Sequence, residues 1–259
     1  MKIGILYIGI GKYVQFWDGF YLSCEKYFLP GTEKKYFVFS DQQIDKKNNI
    51  EVVYQKDLGW PGNTLFRYKM FLSHKEELQK FDYLFFFNGN TEFKHLITSE
   101  EFLPIGNENY LVCLSWHIYR ERSPDEYPYE RRIQSQAYIP FGEGIYYFQG
   151  GLNGGRCEEY LSLMEHCCSQ IEEDKKNNIL ACFHDESHLN KYLLNKHVKV
   201  LSTKYGCPQE WTSPVNPKII FRDKNSVLGF SFVHSLKGGT WWEILRKRVQ
   251  VLFKRNVFI

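Results

Sequence analysis

Apolar residues fall in short runs separated by polar, turn-forming stretches. The most apolar run, residues 83–87 (Tyr-Leu-Phe-Phe-Phe), has the length and composition of a strand buried on both faces. Residues 3–8 form a second compact run. Gly9 and Gly11 follow, and an amphipathic stretch then continues to Tyr27. A strand, a glycine turn and a helix in that order open an α/β nucleotide-binding unit. Residues 35–40 and 50–55 read as the next strands, 65–79 as a helix and 109–116 as another strand. Segment 120–144 is polar and rich in Pro and Gly, and a loop of that length inside a compact domain is usually functional. Residues 146–148 lead into a glycine-rich patch at Gly150, Gly151, Gly154 and Gly155. Helices are expected over 157–176 and 185–194, and short strands over 199–201 and 218–221. The pattern predicts an α/β fold with one domain, residues 1–225, and a C-terminal tail, residues 226–259.

Composition changes this picture in three places. The aromatic share is 17%, which supplies core and also flat faces on which sugar rings pack. The formal charge is only +3, too mild for a nucleic-acid binder. The basic excess is local: Lys237, Arg246, Lys247, Arg248, Lys254 and Arg255 stand in the tail against Glu243. The seven cysteines are odd in number and lack paired spacing, which reads as reduced thiols in a cytoplasmic protein. No stretch approaches the ~20 apolar residues that span a bilayer. Residues 241–253 mix apolar and basic side chains. They are read either as a helix packing back on the domain or as a contact with an anionic membrane surface.

Three motifs carry candidate chemistry. Gly9-Ile10-Gly11-Lys12-Tyr13 follows a strand and precedes a helix, where glycines admit a nucleotide close to the backbone; it matches neither GxGxxG nor the P-loop pattern. Asn88-Gly89-Asn90 ends the run 83–87, at the carboxyl end of a strand where α/β sheets bind ligands, although Asn-Gly-Asn is also a good plain turn. Residues 184–192, His-Asp-Glu-Ser-His-Leu-Asn-Lys-Tyr, leave three readings open. His184 and His188 share a helix face and would suit a zinc hydrolase, but no third ligand is evident. Glu186 would be a carboxylate poised in a pocket and oriented by Asp185. In the plainest reading Asp185 caps a helix and Glu186 favours its dipole.

Tyr129-Glu130-Arg131-Arg132, the run Ala-Tyr-Ile-Pro-Phe-Gly-Glu-Gly at 137–144 and residues 184–192 resemble glycosyltransferase family 6 in order and spacing. So do Gly11-Lys12-Tyr13, and Trp60 with Arg67 seven residues on. The resemblance runs from Ile3 to about Arg248. The family contains vertebrate α-1,3-galactosyltransferases, the blood-group A and B enzymes and bacterial relatives. It implies a GT-A fold with a mixed central sheet flanked by helices, and retention of configuration. The donor would be UDP-galactose (UDP-Gal) or UDP-N-acetylgalactosamine (UDP-GalNAc). The acceptor would be O3 of a galactose, commonly one bearing a 2-linked fucose. By position, Ile8, Gly9, Ile10 and Tyr13 would line the uridine site, and Trp60 and Arg67 would lie on the donor side. Asn88 and Asn90 occupy the places of the vertebrate metal-binding DxD carboxylates. Trp116, His117 and Phe183 would contact acceptor, with Phe183 replacing the usual Trp. Gln149-Gly150-Gly151 would set donor choice, with Gln149 also near the acceptor. Gly151 fits the GalNAc type, with a galactosyltransferase as the alternative.

Two amides in place of two carboxylates imply an enzyme with no metal cofactor, as in bacterial relatives with the same NxN pattern. Lys224 would then meet the leaving diphosphate, assisted by Arg246 and Arg67, while the tail closes over the donor. Glu186 would lie under the anomeric carbon, either as a nucleophile or as a charge steadying front-face transfer, with Asp185 beside it. The expected partners are therefore a UDP-sugar and a fucosylated galactoside. A non-catalytic carbohydrate-binding module would explain the aromatics, but not the carboxylates or the cationic tail.

Overall fold

The strand 83–87 lies where its apolar sequence puts it, at the centre of the sheet. The computed structural model describes residues 1–45, 47–104, 110–119, 121–211 and 216–235, leaving out the side chains of His117, His234 and Ser235. In chain order the strands are β1 (Lys2–Ile8), β2 (Glu33–Ser40), β3 (Ile50–Tyr54), β4 (Tyr83–Phe87), β5 (Thr91–Phe93), β6 (Leu111–Ser115), β7 (Phe148–Arg156), β8 (Val198–Leu201), β9 (Cys207–Pro208) and β10 (Ile219–Phe221). The helices are α1 (Trp17–Tyr27), α2 (Gly59–Leu65), α3 (Arg67–Leu72), α4 (Lys75–Leu78), α5 (Ser99–Phe102), α6 (Cys157–Lys176), α7 (His184–Leu193), α8 (Lys224–Leu228) and α9 (Phe230–Ser235).

Seven strands form one sheet in the order β3-β2-β1-β4-β7-β6-β8, and β5, β10 and β9 form a small second sheet. The large sheet is mixed, because β7 runs antiparallel to both β4 and β6 while the other pairings are parallel. Alternation along the strands divides the core in two. Ile5, Tyr7, Phe85 and Phe87 face α1, packing with Trp17 and Phe20, whereas Leu6, Phe37, Leu84 and Phe86 face α3 and α6, packing with Phe71 and Tyr160. This is the GT-A-type architecture the resemblance implies: a mixed central sheet with helices on both faces.

Two local expectations are corrected. The glycine-rich patch is the nine-residue strand β7. Its glycines are steric: a β-carbon on Gly154 would lie 2.3 Å from the Leu84 carbonyl oxygen, and one on Gly155 would lie 2.2 Å from that of Tyr110. The helix expected over 65–79 is broken into α2, α3 and α4, with non-helical backbone at Phe66 and His74. α8 straddles the boundary drawn at 225/226 and α9 continues from it. The start of the strand expected at Asn109, the remainder of the tail with Arg246, and the candidate membrane contact over 241–253 lie outside the described residues.

Candidate active site

Each polar side chain from Asp185 to His188 and that of Asn190, all on α7, has a specific structural partner. Asp185 is fully buried and pairs with the Arg67 guanidinium at 2.6 Å. Glu186, half-buried, accepts from the Tyr147 hydroxyl and from the Gly150 backbone N–H, both at 2.6 Å. Ser187 Oγ accepts from Phe183 N at 3.0 Å, closing the first turn. The Asn190 amide binds both backbone groups of Phe148 at 2.8 Å and so fixes α7 to the start of β7. His188 Nε2 faces Asp174 at 3.5 Å, whereas the His184 ring packs edge-on against Trp60, 5.1 Å between centroids. The two histidines thus have different partners, and no group of three His, Cys, Asp or Glu side chains among the described residues is arranged to hold a metal.

Burial raises the pKa of both carboxyls. The Glu186 carboxyl is pushed up to about 7 by burial, against the hydrogen bonds from Tyr147 and Gly150, with the neighbouring Asp185 adding to the rise. Asp185 is pushed up to about 6 by burial, with Arg67 opposing. Burial also holds His188 down at about 4, leaving it neutral. Arg67 reaches further than its ion pair. It donates to the Gly150 carbonyl at 2.7 Å and lies 4.6 Å over the Phe86 ring. A β-carbon on Gly150 would sit 3.3 Å from Arg67 and 3.5 Å from each of Asp185 and Glu186, so a larger residue would press on all three charged groups.

A cleft of about 310 Å³ opens at the carboxyl ends of β1 and β4. Ile8, Ile10, Tyr13, Trp60, Arg67 and Asn88 line it, facing Lys224 from α8. Gly9 does not line it; its backbone N–H donates to Phe39 O at 2.9 Å and a β-carbon there would meet the Tyr7 ring at 2.9 Å. Lys12 of the glycine turn also stands in the cleft wall, as do Asp57, Asn63, Thr64 and Phe232, which no sequence motif marked. The Lys224 ammonium lies 5.4 Å from the Tyr13 ring centre and that of Lys12 lies 4.7 Å from Phe232. Asp57 is the sole carboxylate among the described lining residues, and its Oδ1 already accepts from Gly59 N and Asn63 Nδ2 at 2.7 Å.

Asn88 and Asn90 part company. Asn88 faces the cleft, and its backbone N–H donates to Gly151 O at 2.8 Å. Asn90 is only 4% exposed and does not line the cleft; its Nδ2 donates to the Arg222 carbonyl at 2.7 Å. One neutral amide and a single carboxylate, whose Oδ1 already accepts two hydrogen bonds, are a poor donor set for a hard divalent cation.

The wall beside Glu186 is aromatic. Tyr147, buried, lies 5.3 Å from Tyr119 and 6.4 Å from the exposed ring of Phe183, and its carbonyl accepts from Trp116 N at 2.8 Å. Trp211, absent from the sequence reading, lies 6.3 Å from Trp116. His117 begins a short 3₁₀ turn after β6. Gln149 is buried in β7, and its Oε1 lies 3.2 Å from where a Gly151 β-carbon would stand. The Tyr-Glu-Arg-Arg motif folds loop 121–144 onto the start of α7. Glu130 accepts from Arg132 at 2.6 and 2.9 Å and from Cys182 N at 2.8 Å, while Arg131 donates to Pro124 O and Ile139 O at 2.8 Å. Burial pushes the Glu130 carboxyl up, but these donors prevail and hold it at about 2.

Known proteins share this arrangement of sequence. O-antigen biosynthesis glycosyltransferase WbnI of Escherichia coli is 37% identical over 227 residues, covering 86% of this chain and 95% of the relative. Histo-blood group ABO system transferase 1 of Rattus norvegicus is 35% identical over 221 residues, 80% of this chain and 61% of the rat protein. Globoside alpha-1,3-N-acetylgalactosaminyltransferase 1 of Gallus gallus is 31% identical over 216 residues, 79% of this chain and 61% of the chicken protein. The family model described as Glycosyltransferase family 6 matches residues 1–223, and the chain therefore belongs to glycosyltransferase family 6 and is a hexosyltransferase.

Proposed function

We propose that the protein is a retaining α-1,3-N-acetylgalactosaminyltransferase. It moves GalNAc from UDP-GalNAc to O3 of the galactose in a Fucα1-2Gal acceptor, without a metal ion. The observation that carries the reading is the placing of Glu186. Its carboxylate is held at both oxygens, by Tyr147 of the aromatic wall and by Gly150, whose carbonyl in turn accepts from Arg67 in the wall of the cleft that holds Lys224. The donor's diphosphate fits the cleft, with Tyr13 and Ile10 beside the uridine and Asn88 and Lys224 at the phosphates. The acceptor ring fits against Trp116 and Phe183. In the transfer, the bond from the anomeric carbon to the diphosphate oxygen breaks, a bond to acceptor O3 forms on the same face, and the proton of the O3 hydroxyl passes to the departing diphosphate. Lys224 offsets the charge that develops on the leaving UDP, and Glu186 offsets the charge on the sugar, through a transient bond or through its field alone.

Donor choice rests on Gly150 and Gly151, which leave room beside C2 of the sugar. One observation favours the alternative, UDP-Gal. The space at Gly151 is bounded by Gln149 Oε1 at 3.2 Å and the Phe221 ring at 3.3 Å, so part of the room for an N-acetyl group is filled. The test is a competition. Equimolar UDP-GalNAc and UDP-Gal are offered with 2′-fucosyllactose, and the two tetrasaccharides are resolved by mass. A predominance of the GalNAc product supports the reading; a predominance of the Gal product replaces it with the alternative.

Among the described residues no helix is long and apolar enough to cross a membrane.

A further inference from the structure

The second amide of the Asn-Gly-Asn turn stands where the family resemblance puts a metal-binding carboxylate, yet it is buried and does not line the cleft. Its side-chain N–H donates to the Arg222 carbonyl at 2.7 Å, its own carbonyl accepts from Arg222 N at 2.8 Å, and its Oδ1 has no partner among the described residues. The N–H is thus the functional part of this side chain. Arg222 directly follows β10, two residues before α8 begins. It is tied a third time through its side chain, 3.5 Å from Glu92 on β5, with its guanidinium 5.4 Å over Phe16. Directly after it, Asp223 caps α8 by accepting from Asn225 N at 2.8 Å, and its own N–H donates to Gln209 Oε1 at 3.0 Å. Lys224 is the next residue, the first of α8, and lies in the cleft wall across from Asn88.

We infer that Asn90 is a positioning residue that acts through Lys224: it clips the β10–α8 junction to the end of β4 and so fixes where the lysine meets the donor's diphosphate. This rests on the reading of Lys224 given above. One turn then divides its labour, Asn88 facing the donor and Asn90 holding the cation that faces it from the other side. The chemistry separates this role from that of a ligand. A carboxylate at position 90 would be ideal for a cation but wrong for the clip, because an ionised Asp has no hydrogen to give the Arg222 carbonyl and would set two acceptors against each other. Buried without a partner, that carboxyl would take up a proton readily, and the protonated form would donate to Arg222 again.

The experiment measures kcat/KM for the donor in EDTA for wild type, Asn90→Asp, Lys224→Ala and the double variant, between about pH 8 and about pH 5.5. At the upper pH, Asn90→Asp should lose about tenfold, the weight of one buried hydrogen bond. Its activity relative to wild type should climb as the pH falls. The double variant should lose no more than Lys224→Ala alone, because the clip has nothing left to place. Losses that add in the double variant would show Asn90 touching the donor itself and would overturn the inference while leaving Lys224 its role. Restoration of Asn90→Asp by Mn²⁺ would overturn it as well, by making position 90 a ligand. Wild-type turnover in Lys224→Ala would refute the reading of the lysine and, with it, the clip. Thermal melting checks that each variant folds. Should the aspartate variant fail to fold, Asn90→Ala enters the same cycle and must show the same non-additivity.

Discussion

Glu186 joins the chemistry to the fold by two hydrogen bonds. Replacing it with Gln keeps the shape but removes the charge, and one of its two donors then faces an amide nitrogen. Glu186→Gln should lower transfer by about 10²–10³ with a melting temperature near that of wild type. Steady-state kinetics beside a thermal melt check this, and near-normal turnover would remove Glu186 from the mechanism. The same residue sets a pH dependence. Its ordinary value is 4.5 and its folded value about 7, so the ionised form, which the reaction needs, is gained as pH rises through about 7. Activity should therefore increase on an ascending limb there. Stability runs the other way. The folded state holds this proton more tightly than the unfolded one, so the contribution is complete below about 4.5 and is lost as pH rises through 7. Chemical denaturation across that window should show the fall in wild type and a smaller one in Glu186→Gln, where only Asp185, pushed up to about 6, still contributes it.

Helix α7 is useful only because its neighbours hold it in register. Asn190 satisfies both backbone groups of Phe148, so Asn190→Ala should leave buried donors and acceptors unmet and destabilise the protein by about 1–3 kcal/mol for each. Urea denaturation reads this directly, and an unchanged midpoint would show that water replaces the amide. At the other end of α7, Glu130 is held at about 2 against an ordinary 4.5. Its contribution is present above about pH 4.5 and is lost as pH falls toward 2, so Glu130→Gln should flatten acid unfolding over that range. These elements also mark how far the sequence could be read. The apolar period foretold β1, β4, α6 and α7 within a residue or two, because each is a local pattern, but Asp185 does not cap α7: Phe183 stands at the N-cap and Asp185 lies in the first turn. β7 was missed because glycine is a poor strand former, and the reason for its glycines, the backbones of β4 and β6 pressing from either side, is not local. The break at Phe66 between α2 and α3 was hidden by a continuous apolar pattern.

Across the whole molecule, the active site joins residues far apart in the chain, and this limited what sequence alone could show. The motif at 184–192 marked Glu186, and Arg67 was expected beside the donor. That Arg67 buries its charge against Asp185 is a fact of the folded chain. Lys12 and Phe232 carry no local signal of meeting across one cleft, and Asn90 looked interchangeable with Asn88 until the β10–α8 junction was placed against it. The central claim is transfer of GalNAc to a fucosylated galactose with a lysine in place of a metal. The most direct measurement incubates the protein with UDP-GalNAc and 2′-fucosyllactose in EDTA, then with Mn²⁺, beside Lys224→Ala under both conditions. The account predicts an α-linked GalNAc product at equal rates with and without the metal, and a loss in Lys224→Ala that Mn²⁺ does not restore. Product that forms only after Mn²⁺ is added, or full rescue of Lys224→Ala by it, would contradict the account.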